Sequence, residues 1–209
     1  MDNVLRYPGD REMERGDDRY YYAAGHKFEK DKLYTVEDYD ALPEDTRVEL
    51  INGVFYELYP KDEAPLTIHQ RIVMEVSYRI RRYIDEKGGS CEVFPAPFAV
   101  RLTKDDRTTV EPDISVICDP DKITNRGCEG APDWIIEVIS PGNAKHDHVR
   151  KLSLYIDAGV REYWIVDPHK EKVVVYRFDS DDPIPSIYTF EDTVKAGIYE
   201  DLYINFAEI

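Results

Sequence analysis

The chain has 209 residues, enough for one domain of ordinary size or one domain with an arm. Apolar residues make up 42% and charged residues 33%, with a mean hydropathy of -0.55, so a core can form beneath a well-solvated surface. With 27 basic and 43 acidic residues the net charge is -16, which excludes a broadly basic nucleic-acid coat but not an enzyme acting on nucleic acid.

No run of about eighteen apolar residues occurs, so no membrane span is expected. The opening MDNVLRYPGDREMERGDD lacks the apolar stretch of a signal peptide. Cys91, Cys118 and Cys128 form no CxxC pair. Their odd number and wide spacing argue against a disulfide scaffold or a structural zinc site, and all three are expected to be buried or inert. Cytoplasmic residence is the default expectation.

Residues 1–32 read as an arm, weakly ordered or docked on a partner. Charges of both signs alternate there, and Tyr20-Tyr21-Tyr22 is the one apolar feature. A single domain is expected over 33–209. Thr35 to Asp38 has the form of a capping box and predicts a short helix ended by Pro43. Val48 to Ile51 and Val54 to Leu58 predict a hairpin about Asn52-Gly53. Residues 60–65 read as a loop. Over 66–87, Ile72, Val73, Val76, Ile80, Tyr83 and Ile84 recur at helical spacing, and Gly88-Gly89 stops the helix.

Downstream, strand signals alternate with turns. Extended segments are predicted at 91–102, 110–118, 134–140, 163–166 and 173–176, with weaker ones at 187–190 and 202–206. Residues 104–107 read as a turn, and a helix is predicted over 151–158. The sum is an α/β domain with a mixed sheet.

Three segments carry possible chemistry. Glu111-Pro112-Asp113 brings an acid into an apolar strand. Trp134-Ile135-Ile136-Glu137-Val138-Ile139 holds a glutamate inside a run that reads as buried. Asp147-His148-Val149-Arg150-Lys151 opens a helix. A buried glutamate is costly unless paired or metal-bound. If the strands of Asp113 and Glu137 are neighbours, the two carboxylates converge and repel, and a divalent cation resolves the conflict. Two carboxylates, a backbone carbonyl and waters suit Mg²⁺, or Mn²⁺. A lysine reaching that point would orient water or stabilise a charged phosphate transition state.

Each residue also has a plainer reading. Asp113 could cap a loop, and Glu137 could form a structural ion pair. Lys151 could pair with Asp147 one turn earlier. His69 could be a surface residue at a helix start. His146 and His148 would point to different helix faces, so a shared metal is not expected. Tyr155, Trp134 and Trp164 read as core. Arg71, Arg79, Arg81 and Arg82 read first as a solvated helix face, with phosphate contact as the alternative.

In order and spacing the chain resembles the Uma2 family of endonucleases within the restriction-endonuclease-like PD-(D/E)xK superfamily. The likeness spans about residues 34–178. It rests on Thr35-Val36-Glu37-Asp38-Tyr39, Val48-Glu49-Leu50-Ile51-Asn52-Gly53, His69, Glu111-Pro112-Asp113, Glu137-Val138-Ile139-Ser140-Pro141, Asp147 with Lys151, Gly159 to Trp164 and Val166-Asp167-Pro168.

The resemblance implies a restriction-endonuclease-like mixed central sheet flanked by helices, and Mg²⁺-dependent hydrolysis of DNA phosphodiesters. It implies Asp113 and Glu137 as metal-binding acids, with the Val138 carbonyl as a third ligand. Lys151 takes the catalytic lysine's place, moved to the following helix because Ile139 stands where the superfamily motif has its lysine. Glu49 would complete the acidic set. A homodimer is implied, and no organic cofactor. A catalytically silent module of the same fold, or a nuclease acting on RNA or branched nucleic acid, remains the alternative. No base-reading element is visible in the sequence.

Overall fold

A computed structural model describes residues 19–58, 66–102, 106–140, 147–178 and 184–209. The chain divides into two compact units: Met1–Ala64 with Thr103–Val110, and Pro65–Leu102 with Glu111–Ile209. The division falls elsewhere than the arm-and-domain boundary expected at 32–33.

In the first unit, β1 (Tyr20–Ala23) and β2 (His26–Glu29) form an antiparallel hairpin where an arm is expected. Four-residue strands carry too short a pattern to read, yet Tyr21, Ala23 and Phe28 alternate inward and are buried. Phe28 stacks at 4.4 Å on Phe55 and meets Tyr34 edge-on, so aromatic packing makes this hairpin part of a core. The Tyr21 hydroxyl accepts from the Phe55 amide at 3.0 Å.

Helix α1 (Val36–Asp40) begins with the predicted capping box: Thr35 Oγ1 accepts from the Asp38 amide while the Asp38 carboxylate accepts from the Thr35 amide. Strands β3 (Val48–Ile51) and β4 (Val54–Glu57) pair as predicted. Both turn residues have positive φ, 50° at Asn52 and 81° at Gly53, the geometry a two-residue hairpin turn requires. Strand β7 (Thr109–Val110) pairs with β3 on its other side.

The second unit is built on a six-stranded mixed sheet. Its strands are β5 (Glu92–Pro95), β8 (Ile114–Ile117), β11 (Trp134–Val138), β12 (Glu162–Asp167), β13 (Lys172–Arg177) and β14 (Ser186–Thr189). They lie in the order β14-β13-β12-β11-β8-β5, with β11 and β12 parallel and every other neighbouring pair antiparallel. A parallel pair needs a crossover, and α3 (Asp147–Ala158) supplies it between β11 and β12.

Helix α2 (Thr67–Lys87) packs its predicted stripe of Ile72, Val76, Ile80 and Ile84 on the face formed by Ile114, Val116, Trp134, Ile136, Val138 and Trp164. Each such fully buried side chain contributes about 2 kcal/mol. Gly88 closes α2 with φ 63°. The same apolar cluster takes in Val194, Ile204 and Phe206, from β15 (Thr193–Lys195), β16 (Tyr203–Asn205) and the closing 3-10 turn. Three shorter strands, β6 (Val100–Arg101), β9 (Ile123–Thr124) and β10 (Gly127–Glu129), join in the order β6-β10-β9.

The expectation of unpaired cysteines is corrected. Cys91 and Cys118 form a disulfide, and only Cys128 is free and buried. They stand one step beyond the Glu92–Ile117 pair, so the β5–β8 register brings them face to face. A separation of 27 residues carries no trace of that register. The predicted loop at 60–65 lies outside the described residues, as do residues 104 and 105 of the predicted turn. Among the described residues, no helix is long and apolar enough to cross a membrane.

Candidate active site

Alternation along β11 sends Trp134, Ile136 and Val138 to the α2 face, and Ile135 and Glu137 to the other. Strand β8 pairs Ile114 with Ile136 at the end of its ladder with β11. One step further along each chain come Asp113, in the bend that leads into β8, and Glu137, and His69 feels the charge of both. The sheet register thus brings together the two acids singled out in the sequence, and both are 7% exposed.

Both carboxylates are held by hydrogen bonds. Asp113 Oδ2 accepts from the Val138 amide at 2.7 Å and contacts His69 Nε2 at 3.2 Å. Its Oδ1 makes no hydrogen bond among the described residues. The Asp113 main chain is also fixed, because its carbonyl accepts from the Ala96 amide at 3.0 Å. Glu137 Oε1 accepts from Lys151 Nζ at 3.1 Å and from the Tyr155 hydroxyl at 2.9 Å.

The Ile139 amide goes to the Val166 carbonyl on β12. The Val138 amide points the opposite way, towards Asp113. Its carbonyl shares that direction, because N–H and C=O of one strand residue point to the same side. Val138 therefore turns its carbonyl to the side of the Asp113 carboxylate.

Lys151 is 3% exposed. The ammonium is buried against Glu137, not spread on the α3 surface. Lys151 and Tyr155 are four residues apart and share one helix face, so α3 delivers both to one carboxylate. Tyr155 is anchored edge-on against Tyr163 at 4.9 Å, and Tyr163 pairs with Ile135 on the Glu137 face of β11.

Sequence reasoning assigned Tyr155 to the core. It is buried, but its hydroxyl binds Glu137, and its place one turn after Lys151 was the available signal. His69 sits in the first turn of α2, where a surface residue was one expectation, yet it is 3% exposed. Burial opposes protonation of its ring. The hydrogen bond and charge of Asp113, followed by the charge of Glu137 and the Val138 backbone, outweigh burial and raise its pKa.

Glu49 is buried on β3 of the first unit. The Asp147 and His148 side chains and all of His146 lie outside the described residues. Three of the four α2 arginines have acidic partners: Arg79 with Glu208 at 2.9 Å, Arg81 with Asp85 at 2.8 Å and Arg82 with Glu86 at 2.7 Å. Trp134 and Trp164 are core residues in edge-on contact, as expected.

The model of the Uma2 family, described as "Putative restriction endonuclease", matches residues 36–201. The chain belongs to the Uma2 family. Among solved structures it is similar to a "putative nuclease belonging to DUF820" from Anabaena variabilis, with a TM-score of 0.68 and 21% identity. That match covers 83% of this chain and 96% of the other, and at this identity it supports the restriction-endonuclease-like fold. No curated protein matches the chain. In this Uma2 protein the acids of the resemblance fall at the end of the β8–β11 ladder, and the lysine comes from α3 rather than from the strand.

Proposed function

We propose that the protein is a divalent-metal-dependent endonuclease that hydrolyses phosphodiester bonds of DNA. One observation carries the reading: two buried carboxylates stand at the same end of adjoining strands, and a buried lysine is fixed to one of them. Burying a lysine and two acids together is costly for stability alone. Membership of a family described as restriction endonucleases supports the reading.

The donor set fits a hard cation. Asp113 keeps one oxygen uncommitted, Glu137 stands at the same end of the adjoining strand, and the Val138 carbonyl faces the same side. Among the described residues, no group of three or more His, Cys, Asp or Glu side chains forms a metal cluster. Two carboxylates and a carbonyl leave most positions to water, as Mg²⁺ prefers, and Mn²⁺ accepts the same donors. Asp113, Glu137 and the Val138 carbonyl would hold the ion. When bound, such an ion supplies Lewis acidity towards a phosphate oxygen.

The chain's own residues do the rest. Hydrolysis adds the oxygen of water to phosphorus while the opposite P–O ester bond breaks, and the departing oxygen takes up a proton. Negative charge grows on the phosphoryl oxygens during this exchange. The Lys151 ammonium, already desolvated and aimed by Glu137, offsets that charge without reorganising. Tyr155 donates to the same Glu137 oxygen as Lys151 and so helps to fix the orientation of that carboxylate. A homodimer is part of the proposal, since DNA has two strands to cut.

Plasmid cleavage in Mg²⁺ or Mn²⁺ tests the reading. Wild type is expected to nick or linearise the plasmid, and Asp113→Asn and Glu137→Ala are each expected to lower the rate at least about a hundredfold, the scale of losing one transition-state contact. Equal cleavage by all three would expose a contaminant. No cleavage by wild type across salt and both metals would turn the assignment to a silent module or to RNA and branched substrates.

A further inference from the structure

His69 is a buried polar residue that the proposed chemistry leaves without a task. It stands in the first turn of α2, a helix whose start has no side-chain cap and no acid in its first turn. The helix therefore gives the histidine no local partner. Its contact is instead 44 residues away: Nε2 lies 3.2 Å from Asp113 Oδ2, with both side chains at most a tenth exposed. The same oxygen accepts from the Val138 amide at 2.7 Å. A carboxylate oxygen can only accept, so the proton of this contact sits on Nε2.

Two donors from different elements, a helix and a strand, thus fix one oxygen of Asp113 and set the rotation of its carboxylate. The other oxygen, Oδ1, is left without a hydrogen bond among the described residues. One amide alone leaves a carboxylate free to swing about its bond, whereas a second donor from another direction removes that freedom. His69 Nδ1 is buried and makes no hydrogen bond among the described residues, so the ring is tied to the rest of the site through Nε2.

We propose that His69 is a positioning residue that holds Asp113 by Oδ2 and presents Oδ1 to a divalent cation. The inference rests on the metal-site reading above. It assigns His69 to ligand geometry, not to contact with substrate or with the reacting atoms. Residues that orient a metal-binding side chain typically change metal affinity by tenfold or more when removed.

The test is direct binding of Mn²⁺ without nucleic acid, followed by calorimetry and by the spin-resonance signal of free Mn²⁺. Wild type, His69→Gln, His69→Asn and His69→Ala are compared, each checked for cooperative unfolding. The glutamine amide can replace Nε2 as donor, while asparagine is too short to reach Oδ2. His69→Ala and His69→Asn are expected to weaken Mn²⁺ binding about tenfold, with His69→Gln within about threefold of wild type. In cleavage assays the Mg²⁺ concentration for half-maximal rate should rise in the first two, with the saturated rate kept within a few fold. If His69→Ala does not fold, the contrast between glutamine and asparagine carries the test. Mn²⁺ binding equal to wild type in His69→Ala and His69→Asn overturns the role of His69. Equal loss in all three variants overturns the hydrogen bond as its cause. Absence of Mn²⁺ binding by wild type overturns the metal site itself and this inference with it.

Discussion

At the scale of single residues, burial sorts the acids more sharply than sequence does. Glu137 was legible because every neighbour is apolar, and Asp113 because Pro112 precedes it at the mouth of a strand. Lys151 was legible by its place in the family pattern, but its pairing with Glu137 was not. Helical spacing offers the nearer Asp147, and only the sheet register brings the farther Glu137. A further buried acid entered the sequence reading only inside the Gly159–Trp164 motif, with no role. Glu162 opens β12, is 1% exposed, and accepts from Trp164 Nε1 at 2.7 Å, the Gly197 amide at 2.6 Å and the Ile198 amide at 2.9 Å. It ties the central sheet to the chain just before β16. Glu162→Ala leaves the buried Trp164 indole and two part-buried amides unpaired, so a loss of ~2 kcal/mol or more in unfolding free energy is expected by urea titration. Burial raises the Glu162 pKa against the pull of those hydrogen bonds and of Arg177. The folded chain therefore keeps this proton to higher pH than the unfolded chain does. Its contribution to stability is greatest on the acid side and falls as pH rises from the ordinary glutamate value through the raised one. Glu162→Gln should abolish that part of the pH slope, and a wild-type slope identical to the variant's would refute it.

At the scale of elements, the disulfide is a staple between an edge strand and the strand that leads back to Asp113. Strand β5 has only β8 as a neighbour, and Cys91–Cys118 closes the far end of that ladder from the acid. A loop of this size costs the unfolded chain about 3 kcal/mol of entropy in the simplest view, so Cys91→Ser or full reduction should lower stability by roughly that amount. Thiol counting checks the pairing itself. Denatured protein should yield one thiol before reduction and three after. Folded protein should yield none readily, because burial pushes the Cys128 thiol up to about 11. Elements with strong local chemistry were readable in advance: the Thr35 capping box, the Asn52-Gly53 turn, and the α2 stripe with its glycine stop. The β1–β2 hairpin and the two- and three-residue strands β9, β10 and β15 were not, because such runs are too short to show an alternation. Cysteine pairing failed for a related reason, since register is a property of two strands and neither cysteine's neighbours encode it.

At the scale of the whole molecule, the charge of -16 sets how a polyanionic substrate can be met. The fold class was legible in the alternation of strand and helix signals, but the division into two units was not, because no composition shift or linker marks it. The arginines that offered phosphate contact on α2 are largely committed to acids. Arg81–Asp85 and Arg82–Glu86 are pairs four residues apart, with both partners more than half exposed. Pairs of this kind contribute little to stability, but they cancel the field an arginine would otherwise project. Long-range attraction is therefore weak, and under the proposed function affinity would come from close contacts: Lys151 and a divalent ion between the acids. Counterion release then offers little driving force, since its salt slope scales with the number of phosphates neutralised by cationic side chains. For the proposed DNA complex, fluorescence anisotropy of wild type with Ca²⁺ in place of Mg²⁺, to prevent cleavage, should give log K against log monovalent salt a slope shallower than about -3. A slope near -6 would mean that six or more basic side chains reach phosphates, and that a local cationic surface dominates the net negative charge.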